Sequence, residues 1–317
     1  METIGLVAGG SGHTLTEELK KRENFVALVG GKSNDKGMDI ANYTLSCDLR
    51  DYKSIITFFK NHAVEKLILG TGHILAFELA EVCEQNGILL SVDINACKLA
   101  KNKIKYKEYL INNKLPTPHY LSVCQGYSVN RVVDIIGLPC VVKSPVDKSL
   151  PQRATTKEEL SRALGEVLAV DTVALVEEFI HGTDITIPVV ANFLNTNALF
   201  VSYYSKAAQV GLKGFNKRPI SYFSNTRERY LMSLAESAVQ RTGVIGFCRV
   251  DMVVDDASDE PKILECNSVT VTGLNSTQVE FSEHFVRAEN KRNNVNMAAL
   301  LVDNALKIFS QKTKQIV

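Results

Sequence analysis

The chain has no apolar run near the ~20 residues of a membrane span. Nor does it carry a large charge of either sign: 36 Lys and Arg against 35 Asp and Glu over 317 residues leave a net +1. The first absence argues against a membrane protein, the second against a global pull toward nucleic acid or an anionic surface. The seven cysteines contain no Cys-x-x-Cys pair and are odd in number. That argues against a zinc ribbon or a disulfide framework, and for reduced thiols in a cytosol. The opening METIGLVAGGSGHT has no basic stretch before its apolar residues, so it does not resemble a signal peptide. None of the six histidines pairs with Cys, Ser or Asp at a metal or triad spacing. What is left is a cytoplasmic globular chain long enough for about two or three domains.

The N-terminal part alternates strand and helix patterns. Ile4–Ala8, Phe25–Val29, Lys66–Leu69 and Ile88–Val92 are short apolar runs, the first three ending in glycines. Thr14–Arg22 and Ile74–Gln85 are helix-compatible, with Leu75, Leu79 and Val82 at helical spacing. This order predicts an α/β, doubly wound parallel sheet. A basic helix over Lys101–Asn112 is stopped by Leu115-Pro116-Thr117-Pro118. From Cys140 the pattern changes to strands at Cys140–Lys143, Val173–Glu177, Ile185–Val190, Ala198–Tyr204, Gly246–Val254 and Lys262–Cys266, with helices at Lys157–Leu168, Arg227–Thr242 and Asn296–Ile308. That predicts an α+β region with largely antiparallel sheets. Ser205–Arg229 is the least regular stretch.

Chemistry concentrates in two short strands. Side chains alternate across a strand, so Arg249 and Asp251 share one face, as do Glu265 and Asn267. The turn-like Asp255–Pro261 lets the two strands pair as a hairpin. In matching register, one face then carries a guanidinium, two carboxylates and an amide oxygen, a set suited to Mg²⁺; a solvated polar face is the plainer alternative. A second signal is the apolar strand Ala174–Val176 leading into Glu177, Glu178, Phe179, Ile180 and, past a Gly turn, Asp184. Such a strand end offers backbone groups to a base edge and carboxylates to hydroxyls. Lys143, ending an apolar strand, and Lys103, at the start of the basic helix, are point charges for a phosphate. Gly9-Gly10-Ser11-Gly12 lies between a strand and a helix and suits an anion, but lacks the full dinucleotide spacing.

In this order the segments resemble the ATP-grasp superfamily. Residues 66–92 are similar to the pre-ATP-grasp domain of the biotin carboxylase and carbamoyl-phosphate synthetase type. NKIKYKEYLINNKLPTP (102–118), GLPCVVK (137–143), LVEEFIHGTDITI (175–187) and the Arg249–Asn267 region resemble the family's successive motifs. The resemblance implies a Rossmann-like pre-ATP-grasp domain over 1–100, a lid subdomain over 101–172 and a large subdomain over 173–317. It implies that Lys103 and Lys143 contact ATP phosphates. Backbone at Glu178 and Ile180 would read adenine with Glu177 near its amino group, and Asp184 would hold the ribose. Asp251, Glu265 and Asn267 would bind Mg²⁺ (or Mn²⁺), and Arg249 would stabilise the reacting acyl-phosphate. The implied partners are ATP and small-molecule carboxylate and amine (or thiol) substrates, with no nucleic acid or membrane and a homodimer left open.

The chain also departs from the family. Ser144–Ala154, where a Gly-rich lid is usual, has no glycine, so Lys148 or Arg153 is expected to supply charge instead. Gly9–Thr14 lacks the Glu that follows the Gly-Gly of D-alanine–D-alanine ligases, and Ser268–Asn275 differs from their turn, which argues against D-alanine ligase itself. No biotinyl carrier motif argues for biotin carboxylase. Thr270–Thr277 is expected beside the metal, and Lys206, Lys213, Lys217 and Arg218 are expected to face the γ-phosphate. Two rivals remain: a non-catalytic ATP-binding sensor on the same fold, and a Rossmann oxidoreductase.

Overall fold

The computed structural model describes residues 1–204, 223–269, 285–286 and 297–316. Thr270–Thr277 and the basic residues 206, 213, 217 and 218 fall outside the described residues.

The N-terminal elements are Thr3–Val7 (β1), Gly12–Lys21 (α1), Phe25–Gly30 (β2), Tyr43–Ser46 (β3), Tyr52–Asn61 (α2), Lys66–Leu69 (β4), Ile74–Gln85 (α3), Leu89–Leu90 (β5) and Ile94–Lys101 (α4). Their strands form a parallel sheet in the order β3-β2-β1-β4-β5, as the alternating pattern predicts. β1 and β2 are apolar on both faces because helices cover both sides, the usual state of parallel strands. Asp51, His73 and Asp93 cap α2, α3 and α4 by accepting from the backbone N–H of Ser54, Leu75 and Ala96. The backbone of Lys36–Gly37 packs against Gly12, whose added Cβ would meet the Lys36 carbonyl at 2.0 Å. A loop therefore presses on the start of α1, where a dinucleotide pyrophosphate would have to sit.

Next come Lys103–Asn112 (α5), Tyr120–Cys124 (β6), Val129–Ile136 (α6), Cys140–Lys143 (β7), Gln152–Ala154 (β8), Lys157–Leu168 (α7) and Val173–Glu178 (β9). The strands form an antiparallel sheet, β6-β9-β7-β8, so β9 joins this sheet across the expected boundary at 172/173. Val132, Leu160, Ala163 and Val167 of α6 and α7 bury one face against Val123, Val142, Ala174 and Val176. The other face is left for the site.

The basic helix expected over Lys101–Asn112 is broken at Asn102. That residue is extended (φ −88°, ψ 104°), ends α4 and starts α5, with its side chain accepting from Lys105 N at 3.1 Å. An amide side chain that satisfies the new helix start favours a break over one continuous helix. The break makes Lys103 the first residue of α5.

The remaining elements are Gly182–Ala191 (β10), Thr196–Ala198 (β11), Ser202–Tyr204 (β12), Asn225–Thr242 (α8), Gly246–Asp255 (β13), Pro261–Asn267 (β14), Phe285–Val286 (β15) and Met297–Ile316 (α9). They build an antiparallel sheet in the order β14-β13-β10-β12-β15, with β11 on β10. Helix α8 buries Leu231, Ala235 and Val239 against Ile185, Ile187 and Val250, together with Tyr106 and Leu110 of α5. Helix α9 packs Leu301, Val302 and Phe309 against Ile4, Leu6 and Leu28 of the parallel sheet and Val190 and Phe247 of the large one. Among the described residues, no helix is long and apolar enough to cross a membrane. All seven cysteines are unpaired. Burial pushes the Cys83 and Cys97 thiols up to about 12, far from thiolate chemistry.

Candidate active site

Strands β13 and β14 pair as the period-two alternation predicts, with Arg249 opposite Asn267 and Asp251 opposite Glu265. Asp255 sets the turn between them by accepting from the backbone N–H of Ala257 and Ser258. A bulge follows Asp251. Arg249 and Asp251 are buried, Glu265 and Asn267 half-buried, and the face is internally bonded. Arg249 donates from Nε and Nη2 to the two carboxylate oxygens of Asp251 at 3.0 and 3.3 Å. Asn267 Nδ2 donates to Asp251 Oδ2 at 3.1 Å and to Glu265 Oε1 at 3.2 Å. Thr186, on the neighbouring β10, donates its hydroxyl to Asp251. Two carboxylates held this close, with an amide between them, are a set of hard oxygen donors.

Facing this pair are lysines from α5 and β7. Lys103 Nζ lies 2.7 Å from Glu265 Oε2 and 2.7 Å from Asp147 Oδ1. Burial works against its charge, but Glu265 and Asp147 outweigh burial and raise its pKa above the ordinary lysine value. One turn further along α5, Lys107 is fully buried, 2.9 Å from Glu177 Oε1. Lys143 meets the other oxygen of Glu177. Burial alone would raise the Glu177 pKa, but Lys107 and then Lys143 bring it below the usual carboxylate value. For Lys107 burial prevails, and its pKa is lowered in spite of Glu177. Lys107 Nζ also donates to Thr117 Oγ1 at 2.8 Å, and Thr117 donates to the Ile263 carbonyl on β14 at 2.8 Å.

Between the two antiparallel sheets lies a cleft of about 330 Å³. It is lined by Lys103, Lys143, Glu177, Glu178, Ile180, Asp184, Asp251, Glu265 and Asn267. The residues expected to hold nucleotide and metal are therefore gathered here, while Arg249 does not line the cleft and is bonded to Asp251, which does. At the hinge, the N–H groups of Glu178 and Phe179 already donate to the carbonyls of His119 and Pro139 at 2.9 and 3.2 Å. A base edge meeting Glu178 must therefore use its carbonyl. The Glu178 carboxylate turns away to accept from His119 N at 2.8 Å.

The glycine-free lid differs from expectation. Lys148 does not line the cleft; it is paired with Asp171 at 2.9 Å. Arg153 stacks on the Phe179 ring at 4.2 Å. The charged lid side chain that enters the cleft is the acid Asp147. Lys107, Thr186 and Asp147 were not singled out from sequence. Only Lys107 had a readable signal, as the residue four positions after Lys103 on one helix face.

The D-ala D-ala ligase C-terminus family profile matches residues 113–284. A D-alanine–D-alanine ligase of Carboxydothermus hydrogenoformans is 28% identical over 206 residues, 59% of this chain and 64% of that protein. The chain thus spans just under two thirds of its length. One from Pelotomaculum thermopropionicum is 28% identical over 301 residues, 87% and 89% of the two chains. Among solved structures, an L-amino acid ligase from Bacillus licheniformis superposes with a TM-score of 0.75 at 16% identity, over 97% of this chain and 74% of that one. The N5-carboxyaminoimidazole ribonucleotide synthetase of Thermotoga maritima gives 0.68 at 18%, over 84% and 68%. The sequence argues against D-alanine ligase itself, yet these curated relatives carry that name; a shared scaffold does not name the substrate of this chain. The scaffold itself is assigned: the chain belongs to the D-ala D-ala ligase C-terminus family and has the ATP-grasp fold.

Proposed function

We propose that the protein is an ADP-forming ligase. It would join a small amino-acid-like carboxylate to an amine at the expense of ATP, through an acyl-phosphate. The observation that supports this is the gathering of Asp251, Glu265 and Asn267 around one cleft with Lys103 and Lys143, Lys103 lying 2.7 Å from Glu265. In this reading adenine enters at the Glu177–Ile180 hinge, ribose at Asp184, and the phosphates run toward the two lysines.

Asp251, Glu265 and Asn267 fit a divalent cation by donor chemistry. A hard cation takes oxygen ligands, so Asn267 would offer the amide oxygen, the end opposite to the nitrogen now shared by the two acids. Bound there, Mg²⁺ would offset the charge of the β- and γ-phosphates. The protein groups do the rest. Lys103 and Lys143 draw the phosphates in. Arg249, fixed by Asp251, keeps positive charge beside the acids, where a second anion has to approach. The substrate carboxylate attacks the γ-phosphorus and ADP leaves. The amine then attacks the acyl carbon and inorganic phosphate leaves. Such transfer depends on positioning and charge more than on a protein nucleophile, in keeping with the lack of a triad pattern. The cleft lies between the two antiparallel sheets, and because β9 belongs to the first of them we place the limit between the two subdomains after Glu178, not at 172/173.

The test is release of ADP and phosphate from ATP·Mg²⁺ against amino acids supplied singly and in pairs. A ligase releases ADP only with a particular acid and faster with a particular amine. ATP binding without stimulated release by any pair favours the sensor reading.

A further inference from the structure

Asp147 belongs to the turn that replaces the glycine-rich lid. Its backbone is left-handed (φ +60°), a conformation that Asp and Asn tolerate better than other side-chain-bearing residues. The turn is pinned from below. Ser144 Oγ donates to Asp171 at 2.6 Å and accepts from Lys148 N at 2.9 Å, and the Pro145 carbonyl accepts from Lys103 N at 2.9 Å. This directs the Asp147 carboxylate inward. One oxygen is 2.7 Å from Lys103 and the other 2.8 Å from Lys101. Asp147 lines both the cleft and an adjoining cavity of about 280 Å³ that reaches Thr71–His73.

We propose that Asp147 is a positioning residue whose carboxylate stands where nucleotide phosphate binds, holding Lys103 and Lys101 in place until ATP displaces it. This rests on the cleft being a nucleotide site. Lys103 is 8% exposed and already touches two carboxylates. A phosphate would be a third anion on one shielded ammonium, whose three donors can serve all three, but the repulsion among the anions is relieved by departure of the one least held. Glu265 is tied to Asn267 and is 23% exposed. Asp147 is 46% exposed, and half-exposed ion pairs are weakly held. Asp147 therefore gives way. Its departure also frees Lys101, so nucleotide occupancy and the position of the turn form one equilibrium.

The test compares binding of ATP·Mg²⁺ and of adenosine, which lacks phosphate, to the full-length protein and to Asp147→Asn. Asn accepts the same backbone conformation, so only the charge changes. The expected result is ATP binding about two- to fivefold tighter in the variant, the scale of a partly exposed ion pair, with adenosine binding unchanged. Unchanged or weaker ATP binding beside unchanged adenosine overturns the proposal and leaves the nucleotide site standing. Equal shifts for both probes assign Asp147 a purely structural role and also overturn it. No ATP binding by the unmodified protein removes the nucleotide site itself, and this proposal with it.

Discussion

Lys107 and Glu177 form an ion pair at 2.9 Å with both side chains shut off from solvent. Removing one member of such a pair strands the other charge in the interior, which costs more than the pair contributes. Lys107→Met is therefore expected to lower stability by about 2–3 kcal/mol, below the ~3–5 kcal/mol for a sole partner, because Lys143 still faces Glu177. Adding Glu177→Gln should recover part of the loss. Urea unfolding of the single and double variants measures both.

The same pair sets an acid limit. Burial alone would raise the Glu177 pKa, yet Lys107 and Lys143 leave it below the ordinary value. A carboxyl with a depressed folded-state pKa contributes stability above its unfolded value, ~4.3. That contribution is lost as pH falls through the folded one. Stability should therefore drop on acidification below about pH 4.5, and the slope should flatten in Glu177→Gln. Thermal melts from pH 3 to 7 test the sign.

Glu265→Gln is expected to reduce ATP-dependent turnover by on the order of 10²–10³-fold while the protein stays folded, since Lys103 keeps Asp147 as a partner. Asp251→Asn should lose turnover similarly. It should also cost about 1–3 kcal/mol of stability, because buried Arg249 loses the carboxylate that accepts from its Nε and Nη2. ADP release with parallel circular dichroism separates the two effects. A variant with full turnover would defeat the metal assignment.

Lys143→Ala should weaken ATP binding about tenfold, the worth of a charge-assisted hydrogen bond. Adenosine binding should change much less. Equal weakening of both would mean that Lys143 acts through Glu177 and not on phosphate. Titration calorimetry with the two ligands decides it.

The parts of the site readable from sequence were those governed by local rules. Alternation along two strands, joined by a short Asp-rich turn, was enough to put Arg249, Asp251, Glu265 and Asn267 on one face, and the structure has them in that register. The parallel sheet was readable from apolar runs ending in glycines. The break at Asn102 was not, because a polar residue in a basic helix looks like any exposed position until its side chain is seen capping the next turn. The spacing puts Lys107 on the face of Lys103, but nothing local distinguishes it from a surface lysine of a basic helix. Its burial depends on Glu177, seventy positions away on a strand of the small antiparallel sheet. The inward turn of Asp147 likewise depends on Lys103 and Lys101, and nothing within the lid segment signals it.

The ion pair of Lys107 with Glu177 and the hydrogen bonds from Lys107 to Thr117 and from Thr117 to the Ile263 carbonyl join three separate stretches of chain. The small antiparallel sheet is consequently not an interchangeable module. A chimera that takes residues 120–178 from a relative inherits the acid without its buried base, and swapping α5 alone brings the opposite mismatch. Viable recombinants should be those whose crossovers keep residues 103–178 in one block with the strand that carries Ile263 and Glu265.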